Sequence, residues 1–136
     1  MDKQSINHKK TLLKVVGIFN IYNITNEPDN EIYYTKLSRD ADTCHFILHG
    51  VTTYPIKIKT AYAENLSSNQ ADGYITKIKR VKDDVLFIHD GHGWKKQSYL
   101  WALYDIGNAI GKENVLNLSQ FEAWLTTKLN EKKTAN

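Results

Sequence analysis

One cysteine, Cys44, stands among the 136 residues. A single thiol excludes a disulfide within the chain and fits a reducing, cytoplasmic compartment. Its apolar, strand-like surroundings make it a buried, inert thiol. His45 beside it forms no dyad, because neighbours on a strand point to opposite faces. No apolar run approaches the roughly 18 residues that a membrane span needs, and mean hydropathy is -0.50, so no membrane association is expected. Charges precede an apolar run at the amino terminus, but Lys14 interrupts that run and no small-residue cleavage site follows. No secretory leader is therefore expected. Repeats, low-complexity tracts and linker-like compositions are also missing, which leaves one domain over residues 1–136. The nucleophile elbow, the Walker loop, the dinucleotide fingerprint and zinc-finger spacing are absent, which removes the functions that depend on them.

What is present is ordinary in amount and uneven in placement. A hydrophobic share of 41% and a charged share of 24% suit a globular domain with a real core. The net charge is +3 and the isoelectric point about 8.9, which is compatible with nucleic acid without being diagnostic. Lys57, Lys59, Lys77, Lys79, Arg80, Lys82, Lys95 and Lys96 gather in and just beyond the middle third. For any one of them a solvated surface is the plainer reading.

Hydrophobic spacing orders the elements. Leu12, Val15, Val16, Phe19 and Tyr22 follow helical spacing. A turn at 26–30 leads to three strand-like runs, 31–37, 44–49 and 54–60, joined closely enough to form a meander. In the third run Ile56 and Ile58 share one face, and Lys57 and Lys59 the other. If the second run folds back on it, Asp42 falls near Lys59. Asn65, Ser67 and Ser68 are helix caps, ahead of a helical stripe of Ala71, Tyr74, Ile75 and Ile78. Val85 to Ile88 reads as a strand covered on both faces, and 89–94 as a glycine-shaped loop. Leu100, Leu103, Tyr104, Ile106 and Ile110 mark an amphipathic helix that ends near Gly111. A short strand at 115–118 precedes a capping box at Ser119–Glu122. Phe121, Trp124, Leu125 and Leu129 face the core from the helix that follows. Trp94, Trp101 and Trp124 read as core or sheet-covering residues. The fold class expected is mixed α/β, with a central mixed sheet, a three-strand meander and C-terminal helices.

This order, over about residues 10–130, resembles the αβββαβ core of the PD-(D/E)xK nuclease superfamily, which includes many type II restriction endonucleases. The run Phe87-Ile88-His89-Asp90-Gly91-His92-Gly93-Trp94, then a helix and a capped C-terminal helix, is similar to restriction enzymes as well. The resemblance implies a DNA endonuclease that hydrolyses phosphodiesters with Mg²⁺ and works as a homodimer on DNA. It assigns Asp42 to the first acid position, with Asp40 as a substitute, and Lys59 to the lysine that positions the attacking water. The second acid would stand two residues before Lys59, where the chain has Lys57, which cannot ligate magnesium. Glu64, or Glu31 from the first strand, is the replacement ligand. The metal set is thus Asp42 and Glu64, and the catalytic set Asp42, Lys59 and Glu64.

For DNA contact the candidates are Asn65, Ser68, Asn69 and Gln70 at a helix start, with Lys77, Lys79 and Arg80. Helix starts bind phosphate through free amides, and Asn and Gln read adenine edges; plain capping is the alternative for the polar four. His89, Asp90 and His92 have metal-ligand chemistry, with His45 and His49 as further donors, against the alternative of a surface loop. The missing acid at Lys57 keeps two other functions open. One is a non-enzymatic, immunity- or antitoxin-like binding protein; the other is a nucleic-acid-binding module.

Overall fold

A computed structural model describes residues 3–36, 45–61, 84–90 and 97–134. Within them lie α1 (Lys3–Ile21), β1 (Tyr33–Lys36), β2 (Phe46–His49), β3 (Ile56–Ala61), β4 (Val85–His89), α2 (Gln97–Ile110), a 3₁₀ turn (Lys112–Asn114), β5 (Val115–Asn117) and α3 (Leu118–Thr134). The strands form one mixed sheet in the order β1-β2-β3-β4-β5. β1, β2 and β3 make an antiparallel meander. β4 then runs parallel to β3, and β5 parallel to β4. The α/β class is as the hydrophobic spacing indicates, and so is the meander.

The sheet is covered on both faces. One face carries Tyr34, Phe46, Leu48, Ile56, Ile58, Leu86 and Ile88, which meet Val15, Ile18 and Phe19 of α1 and Phe121 and Leu125 of α3. Phe19 is fully buried at its centre. Its ring stacks on Tyr34 at 4.7 Å and meets Phe46 edge-on at 5.5 Å and Phe121 at 6.1 Å. Polar contacts tie the same layer. Thr11 of α1 donates to the Ala61 carbonyl at 3.1 Å, the Tyr22 hydroxyl donates to Glu122 at 3.2 Å, and Thr126 donates to Tyr22 at 2.8 Å. On the opposite face the described residues form a smaller cluster. There Ala61 and Phe87 pack against Ala102 and Ile106 of α2, with Leu103, Ile110 and Val115 around them. β4 is buried along its whole length, as a strand sandwiched between helices should be.

Four expectations are corrected. Leu100 and Tyr104 point outward from α2, 45% and 53% exposed; Ala102 and Ile106 hold the buried stripe. Trp101 is 55% exposed and covers nothing in the core. His89 is the last residue of β4 and buried, not part of a surface loop. The capping box sits two residues earlier than the Ser-x-x-Glu pattern suggests. The Gln120 amide donates to the Asn117 side chain at 2.8 Å, and the Asn117 amide to the Gln120 side chain at 2.9 Å.

Glycine is required at one turn. Gly50 has φ +84°, and a Cβ there would lie 2.0 Å from the Glu31 carbonyl oxygen. Gly111, with φ +98°, closes α2 where its spacing says the helix should end. No described helix is long and apolar enough to cross a membrane.

Candidate functional site

The three parallel strands finish together. Ala61, His89 and Asn117 stand in register at the carboxyl ends of β3, β4 and β5. In open α/β sheets ligands bind beyond these ends. Register and alternation also decide what faces the helical layer of α2. Lys57 pairs with Val85, Lys59 with Phe87 and Ala61 with His89, so Lys59, Phe87, Ala61 and His89 share one face.

Lys59 is the unusual residue there. It is 2% exposed, the one charged side chain among the largest fully buried ones described. An ammonium group is costly to bury unless something compensates it, and Lys59 does engage an interaction partner. His45, 4% exposed, leads into β2 alongside it, and its amide donates to the Ile58 carbonyl at 3.1 Å. The strand register therefore brings His45 next to the Ile58–Lys59 step of β3.

His89 is 8% exposed. Burial pushes its imidazole down from 6.5 to about 4, while the neighbouring Asp90 carboxylate pulls the other way. The ring is thus neutral at pH 7. Register thus sets Lys59 and His89 on one face of neighbouring parallel strands with His45 beside Lys59, and a lysine and imidazole N–H groups are donors that an anion can accept from.

Of the catalytic set Asp42, Lys59 and Glu64 and the DNA-contact candidates, Lys59 is the one the structure describes. Asp42, Glu64, Asn65, Ser68, Asn69, Gln70, Lys77, Lys79 and Arg80, with the substitute Asp40, lie outside the described residues. Lys57 is half-buried on the same face as Lys59, so a lysine does stand at the expected acid position. Glu31 is at the far end of the sheet. It pairs with Lys132 at 3.4 Å, and Lys132 donates to the Gly50 carbonyl at 2.6 Å. Gly50 follows the carboxyl end of β2, beside the amino end of β3, so Glu31 is no replacement ligand near Lys59. Among the described residues no group of three or more His, Cys, Asp or Glu gathers. His49 stacks on Tyr33 at 4.3 Å and bonds Thr35 at 3.1 Å instead, and His92 lies outside the described residues.

A concavity of about 470 Å³ opens at the other end of the sheet between the 50–53 turn and the last turns of α3. Its Lys132 is engaged with Glu31 and the Gly50 carbonyl, and Lys128 with Glu131 at 3.5 Å. These contacts hold α3 to the turn and leave no buried chemistry there.

Sequence reasoning missed His45 and His89 as members of the Lys59 edge. The signal available was the apolar run 85–88 continuing in phase to residue 89. No known protein family, curated protein or solved structure matches this chain.

Proposed function

We propose that the protein is a DNA endonuclease of restriction type, built on the PD-(D/E)xK plan, that hydrolyses phosphodiesters with Mg²⁺. The observation that carries the reading is Lys59. It is a buried lysine on the third meander strand, at the step where the sheet changes from antiparallel to parallel pairing. The plan calls for its lysine at that place. Asp42 and Glu64 are the carboxylates proposed to hold magnesium, which prefers oxygen ligands and substrate phosphate. When bound, the metal supplies Lewis-acid charge and a more acidic water.

The chain's own residues do the rest. Lys59 donates to a nonbridging phosphate oxygen or to the attacking water, and it offsets negative charge that builds at phosphorus. The water gives a proton to solvent as its oxygen bonds to phosphorus, one P–O ester bond breaks, and the departing oxygen takes a proton from solvent. Burial strengthens the lysine's contribution, because the charge is little screened. DNA approaches through the basic middle third, with Asn65, Ser68, Asn69, Gln70, Lys77, Lys79 and Arg80 as contacts. Two copies cut the two strands.

One observation favours a second reading, that of a nucleic-acid-binding module without cleavage: Lys57 occupies the second acid position. Plasmid incubation with magnesium separates the two. The nuclease nicks or linearises the plasmid, and Lys59→Ala and Asp42→Ala each reduce the rate at least about a hundredfold. No cleavage, with DNA binding that falls steeply as salt rises, selects the binding module. Neither activity leaves a protein-binding role of the immunity or antitoxin kind.

A further inference from the structure

We propose that the carboxyl end of the parallel strands binds a phosphate anion together with a proton, and that His89 is the group that takes the proton up. The proposal rests on the phosphodiester reading above and adds a regulation to the same site. Its geometry is the strand register that sets His45 beside the Ile58–Lys59 step and puts Lys59 and His89 at one end of the sheet; the three are 4%, 2% and 8% exposed. Lys59 and His89 lie on one face of adjacent strands, two residues apart along the ladder. At that diagonal, Cα atoms stand roughly 7–8 Å apart, so a single phosphate group can reach both side chains.

The charged surroundings of His89 are few among the described residues. Its own strand end adds Asp90, and β3 adds Lys59 and, beyond it, Lys57. β2 leads in with His45, and β5 places the uncharged Asn117 in register with it. α2 packs Ala102 and Ile106 onto this face, and half-buried Asp105 adjoins Ile106. α1 and α3 cover the opposite face.

Burial opposes a positive charge on the ring, and Asp90 already opposes that effect. A phosphate oxygen beside the ring acts in the same direction as Asp90, and more strongly when it accepts a hydrogen bond. The empty site therefore holds a neutral imidazole and the occupied site an imidazolium. The balance is simple: one proton leaves solvent, joins the ring and pairs with the phosphate, and no covalent bond changes. Affinity must then rise as pH falls from neutrality toward the ring's value in the free protein.

The test is calorimetric titration of a short DNA duplex into the full chain, with calcium in place of magnesium. Two buffers of different ionisation enthalpy are used at several values between about pH 5.5 and 8. The wild type is expected to take up as much as about one proton per binding site, with affinity rising by up to tenfold per pH unit. His89→Gln is expected to lose the uptake and, with it, the rise in affinity as pH falls. Duplex binding by the wild type without proton exchange overturns the proposal and leaves the nuclease reading standing. So does uptake that persists in His89→Gln. Absence of duplex binding at every pH overturns both. The wild-type measurement decides the matter by itself, so a variant that fails to fold does not shelter the proposal.

Discussion

His89 is a residue whose environment sets its protonation and whose protonation feeds back on the fold. Its folded value, about 4, lies below the unfolded value of 6.5. The unfolded chain therefore binds the proton first, and stability falls as pH drops below 6.5, with the loss complete near 4. A gap of that size corresponds to about 3 kcal/mol between pH 7 and pH 4. Urea denaturation of the wild type and of His89→Gln at pH 7, 5 and 4 checks this. The two stabilities should separate by about 3 kcal/mol more at pH 7 than at pH 4, and parallel curves would remove the burial argument. Lys59 is buried beside it and also has an interaction partner. Neither burial was legible from composition. A lysine at an alternating strand position reads as solvated, and what buries this one is Phe87 on the neighbouring parallel strand and the helix layer above it.

At the scale of elements, the parts legible in the sequence are those whose periodicity one partner decides. α1 reads correctly because Val15, Phe19 and their neighbours all face one sheet. The two faces of β3 read correctly because Ile56 and Ile58 alternate with lysines. α2 was misread because its buried stripe consists of Ala102 and Ile106, and the larger Leu100, Trp101 and Tyr104 face outward. Size, which usually marks the core face, marks the wrong one here. Of the candidate site, Lys59 was legible, since it needs only strand phase; His45 and His89 were not, since their place depends on cross-strand register. The start of α3 was misplaced because Asn117 does two tasks: it ends β5 and caps the helix. That makes its side chain testable apart from its backbone. Asn117→Ala should cost about 1 kcal/mol by losing the bond to the Gln120 amide, whereas Asn117→Ser should cost only a few tenths. Thermal unfolding of the pair measures it, and equal losses in both would mean that the residue acts through strand pairing and not through capping.

At the scale of the molecule, the two helical layers differ, among the described residues, in how many apolar side chains they bury. The layer of α1 and α3 shares a core built round Phe19, Phe46 and Phe121, with further contacts through Tyr22, Glu122 and Thr126. α2 is held chiefly by Ala102 and Ile106 against Ala61 and Phe87, and its outer face leaves Trp101 and Tyr104 half exposed. Among the described residues α2 thus contributes fewer buried apolar side chains than α1 and α3 together, and local stability follows buried surface. Native-state hydrogen exchange should show α2 amides opening at lower free energy than those of β4, although both belong to one sheet sandwich. Ile106→Ala should deepen that difference while leaving protection in α1 and α3 largely intact. Phe19→Ala should lower protection everywhere, by about 3–5 kcal/mol, because its cavity lies at the junction of α1, the sheet and α3. Should α2 exchange as slowly as β4 in the wild type, the molecule is one cooperative unit and the site's roof does not open alone. If α2 opens first, the face bearing Lys59 and His89 becomes accessible without global unfolding. A buried pair of basic groups could then meet a phosphate as bulky as a nucleic-acid backbone.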